Sequence, residues 1–368
     1  MLGSNRHKGS RKDVRLKILI LRFSSLGDIV MSTALPRVLK NTFSGSNIHM
    51  AVRSDFRDLI EWNNNIDRKI YLEKNEGLRG LVKLIKSIKT EKYDLIIDAH
   101  KSMRSSLICL FTPGVRKVYF NKRTLKRLVL IFFKINLFSK IDLQILEYIK
   151  PLKKLGVSYD DKGTKIFLPQ DAIDKADKIL RELINKKNTK IIGMVPGAHW
   201  PGKRWPAYKF RCLAGLIEKN MDAIVLIVGA KKDLFCDDIV KGYSKVFSFA
   251  GKLSMIESAA MLSKCDVVIS NDTGMMHVAE AVGSDVIGLM GPTSREFGCY
   301  PYRETSRVIE LKMWCRPCSK NGKGLCIRFG KRPCLNNIEP ASVFETLSKW
   351  YDDRKVIGKE ETKSEKTF

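Results

Sequence analysis

Asp266-Val-Val-Ile-Ser-Asn-Asp-Thr-Gly-Met-Met-His-Val-Ala-Glu-Ala-Val-Gly283 reads as a strand, a loop and a helix in that order. A β-branched run ends at Ser270. Asn271, Asp272 and Thr273 are residue types that cap helices, and Gly274 lets the backbone come close to a ligand. The helix that follows, near Met275 to Val282, offers free N–H groups and the positive end of its dipole, which suits a phosphate. His277 falls one turn in, within reach of the same ligand. The same residues also read as an ordinary capped helix with a packed histidine.

Working outward, the strand–helix alternation repeats. Lys17 to Phe23, Ile48 to Val52 and Tyr93 to Asp98 read as buried strands, with helices near Asp28 to Lys40 (interrupted or kinked at Pro36) and Leu78 to Thr90. Gly163 to Leu168 reads as the last element of this half. A second series has strands at Thr189 to Val195, Ala223 to Gly229, Asp266 to Ser270 and Asp285 to Met290, with helices between them. The pattern predicts an α/β protein of two Rossmann-like, doubly wound domains facing a cleft, with ligands beyond the carboxyl ends of the strands. The expected division is a disordered basic tail at 1–15, a first domain at 16–170, a linker helix at 171–188 and a second domain at 189–338. A C-terminal helix at 339–356 is expected to pack back on the first domain, before a disordered tail at 357–368.

The 368 residues carry 67 Lys+Arg against 39 Asp+Glu, a net charge of +28. Residues 1–160 hold +18 of it, and no acidic residue lies between Ala99 and Ile141. Such an excess calls for a polyanion (nucleic acid, an acidic membrane surface or phosphorylated substrates) unless it reflects a Lys-rich proteome. The apolar run Leu128 to Phe133 is far too short to span a bilayer, and residues 1–17 lack the apolar core of a secretory signal. A cytoplasmic protein is expected, and nine cysteines, several in core-like segments, suit a reducing compartment.

No G-x-G-x-x-G or P-loop follows any strand, so an anion must be held another way. Val195-Pro-Gly-Ala-His-Trp-Pro-Gly-Lys-Arg-Trp-Pro206 sits between a strand and a helix. There Lys203 and Arg204 can neutralise a diphosphate, and Trp200 or Trp205 can wall a ring; an exposed basic loop is the plainer reading. Arg22-Phe-Ser-Ser-Leu-Gly-Asp28 closes the first strand of the other domain. Asp28 there suits a base that takes a proton from an attacking hydroxyl, or simply caps a helix.

Together these segments resemble glycosyltransferase family 9, the heptosyltransferases that build the inner core of lipopolysaccharide. Ser24-Ser-Leu-Gly-Asp-Ile-Val30, Pro196-Gly-Ala198, Lys203-Arg-Trp-Pro206, Asn271-Asp-Thr-Gly-Met-Met-His277 and Leu289-Met-Gly-Pro-Thr293 follow the family's order and spacing over roughly residues 17–350. The Lys-Arg-Trp-Pro and Asn-Asp-Thr-Gly-Met-Met-His forms look most like the branch that adds the second heptose. The resemblance implies a GT-B fold, an ADP-heptose donor, inverting single displacement, no obligatory metal and a phosphorylated glycolipid acceptor. It implies Asp28 as general base, Lys203 at the donor phosphates, Asp272, Thr273 and Gly274 at the diphosphate, and His277 beside them. Asp233, after Gly229-Ala230, falls near an acidic residue that binds the ribose, where the family usually has Glu.

The basic stretch then has a role. Arg104, Arg116, Lys117, Lys122, Arg123, Lys126 and Arg127 are candidates for the acceptor's phosphates. Leu125 to Phe138 suits an anionic membrane surface, on the inner face of the cytoplasmic membrane, or a core helix with a solvated basic face. Cys315, Cys318, Cys326 and Cys334 have the spacing of a possible structural zinc or iron site, with free or facultatively paired thiols as the alternative. Two other functions stay open: a related transferase using another nucleotide sugar or acceptor, and a nucleic-acid-binding protein. No RRM, KH or helix-turn-helix pattern is visible, so nucleic acid is not expected.

Overall fold

The computed structural model describes residues 15–184, 186, 188–324 and 326–364. The first domain runs β1 (Lys17–Leu21), α1 (Leu26–Ser32), α2 (Ala34–Thr42), β2 (Asn47–Arg53), β3 (Arg68–Leu72), α3 (Gly77–Thr90), β4 (Leu95–Asp98), α4 (Met103–Leu110), β5 (Arg116–Tyr119), α5 (Thr124–Phe133) and α6 (Gln144–Ile149). After α7 (Gln170–Leu183) the second runs β6 (Lys190–Val195), α8 (Ala207–Asn220), β7 (Ala223–Ile227), α9 (Cys236–Val240), β8 (Val246–Ser248), α10 (Met255–Ser263), β9 (Val267–Asn271), α11 (Gly274–Ala281), β10 (Asp285–Met290), β11 (Arg307–Glu310), α12 (Pro333–Asn336) and α13 (Pro340–Ser364).

Both sheets are parallel, in the orders β3-β2-β1-β4-β5 and β11-β10-β9-β6-β7-β8. Each strand order reverses beside its central strands, β1 and β4 in one sheet and β9 and β6 in the other. A crevice opens at that point beyond the strands' carboxyl ends. Central strands are apolar on both faces: Ile18, Leu19, Ile20 and Leu21 are all fully buried. One apolar cluster continues from Ile18 and Ile20 through Val30 and Met31 of α1 to Met276 and Val278 of α11, so the two domains share a core.

Four local expectations change. The helical stretch after Gly27 breaks at Thr33, not Pro36; Pro36 lies in the first turn of α2, where its missing N–H is no loss. Residues 163–168 form no strand, because their polar groups bond elsewhere: Lys165 N to Thr33 Oγ1 at 3.2 Å and Ile166 N to Ala281 O at 3.0 Å. The edge strands β3 and β5 are polar and left no apolar run to read. The helix expected to return to the first domain instead packs on the second. Its stripe of Val343, Leu347 and Trp350 joins that domain's core, and Trp350 Nε1 donates to Thr305 O at 3.1 Å. This helix continues to Ser364, through most of the expected tail. The basic tail expected at the other end lies, up to residue 14, outside the described residues, as do residues 365–368.

Candidate active site

The first half of the site is the junction of β1 and α1. Ser25 caps α1 and Asp28 closes the capping box, its Oδ2 accepting from Ser25 Oγ at 2.7 Å and from Ser25 N at 3.3 Å. Arg22, at the end of β1 and 5% exposed, reaches the same carboxylate at 2.5 Å. Tyr148 of α6 donates to Asp28 Oδ1 at 3.2 Å. Burial pushes the Asp28 pKa up, but the Arg22 charge and the hydrogen bonds from Ser25 and Tyr148 outweigh it and hold the carboxyl at about 2. Asp28 is thus ionised and keeps about a third of its side chain exposed, 31%. Arg22 opens the same segment that ends at Asp28, whereas Tyr148 carries no motif signal and only its place in the fold brings it here.

The second half is the junction of β9 and α11. Asn271 ties it to the loop after β6, donating to Pro196 O at 2.7 Å and accepting from Trp205 N at 3.0 Å. Asp272 is 4% exposed and meets Lys203 Nζ at 2.7 Å and Thr293 Oγ1 at 2.6 Å. Burial raises its pKa, yet Lys203 and Thr293 bring it below the ordinary value. Thr273 precedes the first turn of α11 in extended conformation, and Gly274 begins the helix. His277 is buried and neutral: burial, with Lys203 nearby, lowers it to about 4 despite Asp272 and Asp28.

The halves meet at two glycines. A Cβ on Gly274 would lie 2.9 Å from Gly27 N and 2.4 Å from Leu26 Cδ2. One on Gly27 would lie 2.9 Å from His277 Cδ2. Asp28 therefore stands next to the Asp272–Lys203–His277 group across the domain seam.

Of the remaining donor-side residues, Asp233 is 5% exposed at the end of β7. Its Oδ2 accepts from Ala230 N at 3.0 Å, and Oδ1 has no partner among the described residues. Gly197 makes room for it. Arg204 donates to Ala198 O at 2.8 Å and lies over the Phe235 ring, beside the Gly197–Asp233 contact. Trp205 walls no ligand; it is a core residue, with Nε1 bonded to Ile338 O at 3.0 Å.

The basic candidates scatter. Arg104 is exposed at the start of α4. Arg116 and Lys117 open the edge strand β5 at its amino end, whereas Asp28 follows the carboxyl end of β1, and Lys117 Nζ bonds Thr112 O and Val115 O. Arg123 is buried against Glu147 at 3.4 Å and over the Phe138 ring. Lys122 is half-buried near Asp28; burial and the charges of Lys320 and Arg22 lower its pKa. His100, which carried no signal in the sequence, joins this group, and burial with Arg22 and Lys122 lowers it to about 4.

The expected zinc or iron site is not borne out. Among the described residues no group of three or more His, Cys, Asp or Glu is placed to hold a metal, and all four cysteines are free thiols. Cys334 sits in the second-domain core, where burial raises its thiol to about 11, while Cys326 Sγ accepts from Arg328 N at 3.4 Å. Cys318 and Cys334 each feel the charges of the neighbouring thiols, so the four share one region without closing on a common point.

The chain is 26% identical over 323 residues to lipooligosaccharide heptosyltransferase 2 of Haemophilus influenzae, covering 80% of this chain and 89% of that one. It is 25% identical over 351 residues to lipopolysaccharide heptosyltransferase 2 of Escherichia coli K12, covering 90% and 98%. Among solved structures, a glycosyl transferase family 9 protein from Veillonella parvula superposes with a TM-score of 0.75 at 23% identity, over 91% and 97% of the two chains. The E. coli ADP-heptose LPS heptosyltransferase II gives 0.70 at 22%, over 92% and 100%. These likenesses bear out the expected GT-B fold. A sequence model of glycosyltransferase family 9 (heptosyltransferase) matches residues 81–326, more than half of the chain, and the protein belongs to that family.

Proposed function

We propose that this glycosyltransferase moves a heptose from ADP-heptose to the phosphorylated inner core of lipopolysaccharide, with inversion. The observation that carries the reading is the contact of Gly27 with Gly274, which sets an ionised carboxylate beside an anion cradle. The donor's diphosphate lies at the start of α11, against Lys203, Thr273 and Gly274, where helix N–H groups and a cation meet charge that grows as ADP leaves. Asp233, whose Oδ1 has no partner among the described residues, is assigned the ribose hydroxyls. An acceptor hydroxyl attacks the anomeric carbon and gives its proton to Asp28. At a pKa of about 2 Asp28 is a weak base. Proton transfer then accompanies bond formation, once the attacking oxygen has become acidic. Arg22, Ser25 and Tyr148 fix the carboxylate's orientation meanwhile.

The acceptor's phosphates are assigned to the mouth of the first domain, where Lys122 and Arg104 face the cleft side. Arg123 is held by Glu147, and Arg116 and Lys117 lie at the amino end of β5, away from the strands' carboxyl ends. No helix among the described residues is long and apolar enough to cross a membrane. Residues Leu125, Phe132 and Phe133 of α5 are nonetheless 72%, 72% and 71% exposed, next to Ile135 and Leu137. With Lys126 and Lys140 around them, they suit the inner face of an anionic cytoplasmic membrane, where a lipid acceptor resides.

Incubation with ADP-heptose and an inner-core acceptor, with ADP release measured against UDP- and GDP-sugars, tests the function. Turnover with the ADP-sugar alone is expected. Preference for a UDP- or GDP-sugar, or no transfer to the phosphorylated acceptor, overturns it.

A further inference from the structure

His277 and Glu280 lie one turn apart on α11 and are 4% and 1% exposed. His277 Nδ1 and Glu280 Oε2 are 4.0 Å apart, and neither atom has a hydrogen-bond partner among the described residues. Leaving buried polar atoms unpaired costs on the order of 1–3 kcal/mol each. The carboxyl cannot swing away. Its Oε1 accepts from Tyr302 N at 2.8 Å, Arg303 N at 3.0 Å and Ser306 Oγ at 3.3 Å. The far edge of the imidazole meets the first domain, with Nε2 3.8 Å from where a Gly27 Cβ would stand. The ring therefore bridges an inner carboxyl and the outer cradle.

We propose that Glu280 is a positioning residue that stores the proton His277 takes up when a diphosphate fills the cradle. This rests on the donor reading above. Burial lifts Glu280 to about 7, against the pull of the Arg303 and Tyr302 N–H groups, Ser306 and the Arg303 charge, while His277 stands at about 4. Below about pH 7 the empty pair thus holds one proton, on Glu280. The charges facing His277 are Asp28 from α1, Asp272 from the end of β9 and Lys203 from the loop after β6. A diphosphate against Lys203 adds negative charge and favours the imidazolium. As the imidazole closes the 4.0 Å gap to hydrogen-bond distance, the Glu280 O–H bond breaks, an N–H bond forms at His277 Nδ1, and no proton is exchanged with solvent. His277 becomes a cation whose Nε2–H faces the anion, with Glu280 as its counter-ion. The proton returns when ADP departs.

The test is nitrogen-15 imidazole NMR of the full chain, free and with ADP, from about pH 5 to 8, using His277→Gln for assignment and Glu280→Gln as the probe. The free protein is expected to show neutral His277 above pH 5, and the ADP complex an imidazolium up to about pH 7. Glu280→Gln should lose that imidazolium and bind ADP about tenfold more weakly at pH 7, in a pH-dependent way. A His277 that stays neutral with ADP bound overturns the proposal in the unmodified protein, whether or not the variant folds. So does a Glu280→Gln protein whose His277 titrates as before. Failure of ADP to bind at all overturns the donor reading, and the stored proton with it.

Discussion

Gly27 and Gly274 touch across the seam between the domains, and neither position has room for a methyl group. A Cβ on Gly274 would come within 2.9 Å of Gly27 N, and one on Gly27 within 3.3 Å of Gly274 Cα and 2.9 Å of His277 Cδ2. Real Cβ atoms essentially never approach so closely, so either substitution must part the two helix starts. Gly27→Ala and Gly274→Ala are expected to lower kcat by at least about tenfold while costing at most ~1–3 kcal/mol of stability. Steady-state kinetics with thermal melts checks this. Full activity in Gly274→Ala would show that the contact is dispensable.

Asp28 should be essential for turnover but not for donor binding. Asp28→Asn is expected to cut kcat by about 10²–10⁴-fold, with ADP affinity unchanged by calorimetry. Its pKa of about 2 lies below the ordinary 3.8. A depressed carboxylate stabilises the fold above its ordinary value, and that contribution fades as pH falls through about 2. Any acid limb in the activity profile above about pH 5 therefore belongs to another group. If neutralising Asp28 abolished such a limb, Asp28 would be titrating there and the ion pair with Arg22 would be broken in the working enzyme.

Lys203 both pairs with a buried carboxylate and serves the donor. Their side chains are 15% and 5% exposed, so Lys203→Met strands Asp272 with Thr293 as its one remaining side-chain donor. Breaking such a pair costs about 3–5 kcal/mol. Asp272→Asn added to Lys203→Met should recover most of that stability but not ADP affinity. Recovery of both would mean that Lys203 acts only through Asp272.

The exposed face of α5 should bind lipid without supporting the fold. Phe132→Ser with Phe133→Ser is expected to weaken flotation with anionic vesicles by ten-fold or more, from about 1.5–3 kcal/mol per buried aromatic ring, and to leave the melting temperature unchanged. Unaltered flotation would place the membrane contact elsewhere, and a large fall in melting temperature would make α5 a structural helix.

Trp205 gives a contrasting test of the core. Buried and bonded to Ile338 O, it should cost about 3–5 kcal/mol as Trp205→Ala, read as a denaturant midpoint shift. A loss of ADP affinity without loss of stability would restore it to the donor site.

Local pattern along the chain is enough to read two parallel-sheet domains and the strand-to-helix junctions at Asp28 and Asp272. Apolar runs of strand length and capping residues at fixed offsets act over a few neighbours, so they are written in order. The same holds for Gly27, Gly274 and His277, which sit inside those junctions, and for Lys203 in the loop after β6. Folding alone decided what lies far apart in the chain yet close in space. Tyr148 reaches Asp28 from 120 residues away, Tyr302 and Arg303 hold the Glu280 carboxyl, and Trp205 turns into the core to meet Ile338. The four cysteines, regular in spacing, come near one another without forming, among the described residues, a group of three placed to hold a metal, and the last helix joins the second domain because its Val343–Leu347–Trp350 stripe finds its apolar partners there. Spacing records which residues share an element. Which elements face one another is settled by the burial of their apolar faces, a property of the whole chain.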